Sequence, residues 1–136
     1  MIVSAVSLWK KFNLTTPLSA SEWGIEDKEG VRTSHVSYFG HTMEDGSVRI
    51  YARFMRPITT QKTPVVLLLN DAGKSADDNL MHYFVDKGYA VLCPDYSGKT
   101  EADGEDVFRT IYPNSLEYGN LQKARGLKET AGYEVD

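Results

Sequence analysis

Cysteine is almost missing from this chain: Cys93 is the only one. That excludes an intrachain disulfide and with it the small stapled scaffolds of secreted proteins. Lysine and arginine number 15 against 19 aspartates and glutamates, so there is no basic excess to recruit nucleic acid or an anionic membrane. No apolar run approaches the roughly 20 residues that a membrane-crossing helix needs. The apolar start of the chain precedes Lys10 and Lys11, the reverse of the order in a secretory leader. A cytoplasmic location is the expectation. With 136 residues, 41% hydrophobic and 25% charged, the chain reads as one globular domain large enough to bury a core.

Recognisable catalytic and ligand motifs are scarce too. His35, His41 and His82 never fall at the H-x₃-H or H-E-x-x-H spacing that puts two imidazoles on one helix face. The acids Asp77, Asp78 and those from Asp103 to Asp106 lack the alternation of a calcium loop. No metal and no cofactor is expected. Gly73-Lys74-Ser75 sits between a strand and a helix, as in a phosphate-binding loop, but the glycine that should open that loop is Leu68. Asp71 would also repel phosphate, so a turn and helix cap is the plainer reading. Cys93 lies inside an apolar strand and reads as a buried, inert thiol. G-x-S-x-G does not occur, and Ser75 is followed by Asp77 where its second glycine would stand. No catalytic residue is visible on this chain.

What is present is organised around Pro64 to Gly98. Val65 to Leu69 is an unbroken apolar run, the mark of a strand covered on both faces. Ser75 is a candidate N-cap, with Asp77 and Asp78 in a first turn whose dipole favours carboxylates. Leu80, Met81, Phe84 and Val85 form an apolar stripe, and Gly88 supplies the exit. Tyr89 to Cys93 is a second strand, stopped by Pro94. This is a βαβ unit over 64–98 with parallel strands.

Upstream, Val31 to Met43, a turn at Glu44-Asp45-Gly46 and Ser47 to Met55 read as an antiparallel hairpin over 31–56. Val48, Ile50, Ala52 and Phe54 face one side; Arg49, Tyr51 and Arg53 face the other, wetter side. Residues 1–30 read as an N-terminal arm. In it Ile2, Val6 and Trp9 share a helical face, Ser19 to Gly30 is a polar surface loop, and Trp9 and Trp23 hold the arm to the domain. Residues 99–136 read as a polar loop, an extended Ile111-Tyr112-Pro113 and a helix from Asn114 or Ser115 packed by Leu116, Leu121 and Ala124. The fold class is α/β: an antiparallel hairpin and one parallel βαβ unit in a single partial sheet, flanked by helices.

A hairpin, an apolar strand with a glycine-containing loop, a helix and a strand ending in Pro-Asp-x-x-Gly resemble the N-terminal half of an α/β-hydrolase. In that family the first loop carries an oxyanion-hole amide, written H-G-x, and the later strand ends in D-x-R-G. The matching residues here are Asn70-Asp71-Ala72-Gly73 and Asp95-Tyr96-Ser97-Gly98. Arg109 to Ala124 and Ser7 to Leu18 look like segments of bacterial acetyl xylan esterases, neighbours of the dienelactone hydrolase and prolyl oligopeptidase groups. The resemblance implies that the backbone N–H of Ala72 is an oxyanion donor and that Asp95 and Gly98 shape a structural turn. Asn70 and Asp71 replace the His-Gly pair, and Ser97 replaces the arginine.

In the family the nucleophile elbow, the acid and the histidine follow in that order after these strands. The resemblance therefore implies that residues 1–136 are the front part of a serine ester hydrolase, inactive alone. It also leaves Val65 to Leu69 at a sheet edge, so a homodimer or swapped assembly through that strand is expected. Two other readings stay open: a hydrolase-derived binding or interaction module, and a degenerate nucleotide-binding βαβ domain.

Overall fold

The computed structural model describes residues 15, 17–71, 74–98 and 108–116. Its centre is a five-stranded mixed sheet: β1 (Ser21–Lys28), β2 (Val31–Met43), β3 (Gly46–Pro57), β4 (Val65–Leu67) and β5 (Ala90–Pro94), with the helix α1 (Asp78–Asp86) between β4 and β5. The spatial order is β1-β2-β3-β5-β4. The hairpin β2–β3 joins the βαβ unit through an antiparallel pairing of β3 with β5, in which Arg53 faces Cys93 and Met55 faces Val91. β4 and β5 run parallel, with Val66 opposite Val91. β4 is thus one edge of the sheet and β1 the other.

β1 corrects the reading of Ser19 to Gly30 as a loop. It pairs antiparallel with β2 and carries a bulge between Trp23 and Glu26, where Gly24 has φ +58°. The bulge breaks the alternation that marks a strand, and an edge strand needs no apolar face. Cross-strand pairs hold it instead. Arg32 grips Asp27 with two hydrogen bonds of 2.6 Å each, Ser34 donates to Glu22 at 2.6 Å, and Trp23 stacks on His35. The turn into β2 has positive φ at both central residues, Glu29 and Gly30, as a two-residue hairpin of I′ type requires.

α1 starts later than Ser75. Its N-cap is Asp77, whose carboxylate accepts from the Leu80 N–H at 3.1 Å. Aspartate accepts as well as serine at a cap and adds charge where the dipole is positive, so Asp77 takes the role and Ser75 stays in the loop. The helix ends in a Schellman motif. The Tyr89 N–H donates to Phe84 O and the Gly88 N–H to Val85 O, with Gly88 at φ +88°.

The apolar stripe of α1 puts Met81 and Val85 against Met55, Val91 and Cys93, a buried core on one face of the sheet. Leu80 of the same stripe is 39% exposed. Across the sheet, Val65, Leu67 and Leu69 are 61%, 61% and 62% exposed. The expectation that this run is covered on both faces holds for one face only among the described residues.

β5 pairs only with Ala52 to Met55 of β3. The vacant length of β3 is taken by the segment after Phe108: Arg49 and Ile111 exchange backbone hydrogen bonds of 3.0 and 2.9 Å. A single 3₁₀ turn, Asn114–Leu116, follows. The arm before Thr15 with Trp9, and the helix expected through Leu121 and Ala124, lie outside the described residues.

Candidate functional site

Both parallel strands run out at the same end of the sheet, beside the N-terminus of α1. A cleft of about 360 Å³ opens there, the lower end of the range for small-molecule sites. Asn70 follows β4, Pro94 and Asp95 close β5, Ser75 to Asp78 lead into α1, and β2 and β3 contribute His35, Tyr51 and Arg53. In open α/β sheets ligands bind at the carboxyl ends of the strands, and the topology places the cleft there.

Asp95 holds one wall rigid. Its Oδ1 accepts from the Ser97 N–H, the Ser97 hydroxyl and the Gly98 N–H at 3.0, 3.0 and 3.1 Å. Its Oδ2 accepts from the Thr110 N–H at 2.9 Å. Gly98 has φ +66°, and a methyl group there would lie 2.8 Å from the Thr110 carbonyl oxygen. The carboxylate is consumed by the backbone around it and is not placed for proton transfer.

The opposite wall is polar and aromatic. His35 Nδ1 lies 2.8 Å from the Tyr51 hydroxyl, and His35 Nε2 lies 3.4 Å from an Arg53 Nη. A guanidinium only donates, so Nε2 accepts, and in the neutral ring Nδ1 carries the proton and donates to Tyr51 Oη. Neutrality is favoured here: burial, and then the positive charge of Arg53, lower the His35 pKa below its ordinary 6.5. Phe108 packs on His35 and on Tyr51, with ring centroids 4.9 and 6.1 Å away. Burial raises the Tyr51 pKa, so its hydroxyl keeps its proton at neutral pH.

Cys93 lies on the floor. It is buried, and desolvation followed by the charge of Asp95 pushes its thiol up to about 11. At neutral pH it is a thiol and not a nucleophilic thiolate.

The residues singled out in the sequence are placed unevenly. Asp95 and Gly98 form the buried turn just described. Ala72 and Gly73 lie outside the described residues, so no oxyanion donor is located. Ser75 lines the cleft, and its carbonyl accepts from the Asn70 side chain at 2.6 Å. Lys74 lies 3.9 Å from Asp71, both exposed. His35, Tyr51 and Arg53 were not read as a site. Their one signal was the polar-aromatic alternation Arg49-x-Tyr51-x-Arg53 on the side of the hairpin expected to be wetter, where the structure instead buries Tyr51 and Met55. Among the described residues no group of three His, Cys, Asp or Glu could hold a metal ion, and no helix is long and apolar enough to cross a membrane.

A family model described as X-Pro dipeptidyl-peptidase (S15 family) matches residues 45–115, just over half of the chain. No curated protein matches. Among solved structures, acetyl xylan esterase 1 of a Thermoanaerobacterium species superposes with a TM-score of 0.53 at 19% identity, covering 71% of this chain and 30% of its own. An acetyl xylan esterase of a Paenibacillus species superposes with a TM-score of 0.50 at 19% identity, covering 64% and 28%. The sheet is therefore a partial α/β-hydrolase sheet, and the chain spans less than a third of the length of these solved relatives.

Proposed function

The chain belongs to the X-Pro dipeptidyl-peptidase (S15) family, and on that premise we propose that it is the front part of a serine hydrolase that cleaves esters and is non-catalytic by itself. The observation that carries the reading is the cleft at the carboxyl ends of β4 and β5, walled by the loops that follow Leu69 and Pro94. In the α/β-hydrolase resemblance the first of these loops carries the oxyanion-hole amide and the second forms a structural turn. The ester preference is taken from the acetyl xylan esterases that share the fold. By the same resemblance the Ala72 N–H is the proposed oxyanion donor, and a cytoplasmic location fits the lone reduced thiol.

Inactivity in isolation rests on the partners within the cleft. Nucleophilic catalysis needs a histidine that takes the nucleophile's proton. His35 has its two nitrogens engaged by Tyr51 and Arg53 instead, and the Cys93 thiol stays protonated. The purified chain should turn over p-nitrophenyl acetate no faster than buffer and form no adduct with a fluorophosphonate. Turnover abolished by Ser75→Ala, or labelling at Ser75, would sink this reading. Reading the encoding DNA past codon 136 tests the parentage: a G-x-S-x-G about one strand and one helix downstream is the expected result.

A second reading is favoured by the exposed edge. Among the described residues β4 is paired on one side only, and Leu68 N–H donates inward to Leu92 O. By alternation the backbone groups of Val65, Leu67 and Leu69 face outward, with no charge or proline among these residues to discourage pairing. The proposed occupant is a second copy, joined antiparallel through β4. Light scattering should give a dimer that Leu67→Lys converts to monomer; a wild-type monomer at high concentration rejects it.

A further inference from the structure

The hydrogen-bond chain across the cleft has an unused end. Arg53 can only donate to His35 Nε2, so His35 Nδ1 donates to Tyr51 Oη. The hydroxyl of Tyr51 therefore receives a hydrogen bond, and its own hydrogen has no acceptor in that chain. Tyr51 is only 7% exposed, and it lines the cleft. A buried hydroxyl hydrogen without an acceptor is costly and directs its donor toward whatever enters.

Arg53 is under-used in the same place. Its Nε is buried with no hydrogen-bond partner among the described residues. One Nη reaches His35 at the long distance of 3.4 Å, and the other lies 3.7 Å from Asp78, whose side chain is 59% exposed. A guanidinium carries five donors in a planar fork suited to a two-oxygen anion. Tyr51 and Arg53 are two residues apart on β3 and so share one face of it, and both line the cleft.

We propose that this cleft is a binding site for a small carboxylate, received by the Arg53 guanidinium and the Tyr51 hydroxyl, with Phe108 and Ala76 against its apolar body. A single negative charge fits better than two. Asp78 and Asp95 line the cleft along with Arg53 and Lys74, and Asp78 competes for the Arg53 guanidinium, so a phosphate dianion meets more repulsion than a carboxylate does. His35 is the positioning residue: it hands the Tyr51 hydroxyl to the ligand by occupying its lone pair. The inference rests on these donors and stands independently of ester hydrolysis.

Butyrate and butyramide test it, since they share a shape and differ in charge. Both are titrated into the 136-residue chain at constant ionic strength, with binding followed by calorimetry and by the NMR signals of His35 and Phe108. Butyrate is expected to bind and butyramide to bind at least tenfold more weakly. Tyr51→Phe, which keeps the ring, should weaken butyrate about tenfold, as loss of one hydrogen bond to a charged group does. Arg53→Lys should weaken it further, and Asp78→Asn, which frees Arg53, should tighten it severalfold. The proposal is overturned if butyrate fails to bind, if butyramide binds as well, or if Tyr51→Phe and Arg53→Lys retain wild-type affinity. Phosphate binding more tightly than butyrate overturns the choice of a single charge. The wild-type comparison decides the matter even where a variant fails to fold.

Discussion

Asp95 and Thr110 hold each other at both ends. The Thr110 N–H donates to the Asp95 carboxylate at 2.9 Å, and the Thr110 hydroxyl donates to the Asp95 backbone carbonyl. That same hydroxyl oxygen accepts from the Tyr51 N–H at 3.0 Å, while the Asp95 N–H donates to Tyr51 O at 2.8 Å. One threonine therefore ties the end of β5, the middle of β3 and the segment after Phe108 into a single unit. Every atom in the clasp is buried or nearly so, and water cannot replace what is removed.

Thr110→Val should therefore be costly although it changes almost no volume. It leaves the Tyr51 N–H without its acceptor and the Asp95 carbonyl without a donor, at about 1–3 kcal/mol for each buried group left unsatisfied. A urea titration followed by tryptophan fluorescence should show a lower midpoint at constant slope, and Thr110→Ser should recover most of it. An unchanged midpoint in Thr110→Val would mean that the clasp contributes nothing.

Gly98→Ala should destabilise through two causes at once. The left-handed φ costs an L residue about 1–2 kcal/mol, and the new methyl group would sit 2.8 Å from the Thr110 carbonyl. Because backbone, not a flexible side-chain tip, is on the other side, relief requires moving the clasp. Gly88→Ala meets open space at a similar φ and serves as the control: it should lose less, and equal losses would remove the clash from the explanation.

Histidine 35 sets a pH dependence whose sign follows from its lowered pKa. The unfolded chain begins to take a proton near the ordinary value of 6.5, while the folded chain refuses it until lower pH. The stability that His35 contributes as a neutral ring is complete above that value and is lost as pH falls below it. Wild type should thus lose more stability than His35→Gln between pH 7.5 and 5.5. The His35 ring proton should titrate with a midpoint below 6.5 in NMR, and a midpoint at or above 6.5 refutes the assignment.

Cys93 should resist thiol reagents in the folded chain. With its thiol pushed up to about 11 and its side chain buried, the thiolate that Ellman's reagent needs is scarce at pH 8. Reaction should be slow in buffer and rapid in urea, with one thiol per chain. Rapid reaction without denaturant would place Cys93 at the surface.

Met55→Ala tests whether the single packed face carries the fold. Met55 is fully buried beneath Met81 and Val85 of α1, and truncation of such a side chain costs about 2–5 kcal/mol. Leu67→Ala, on the exposed face, should cost much less in the isolated monomer. Circular dichroism during heating separates the two.

Sequence by itself determined the elements whose patterns are local. The apolar runs at Val65 and Tyr89, the stripe through Met81 and Val85 and the glycine at 88 specify a parallel βαβ unit, because strand and helix periods differ and each segment shows one of them. The alternation from Val48 to Phe54 specifies β3. Tertiary structure decided the rest. β1 carries polar residues and a bulge at Gly24, so only its partner β2 makes it a strand. Asp77 and Ser75 are both competent caps, and the geometry of the loop chose between them. The cleft was least legible of all. His35, Tyr51, Arg53 and Phe108 come from separate parts of the chain and meet through cross-strand register and a returning segment, neither of which leaves a spacing in the sequence.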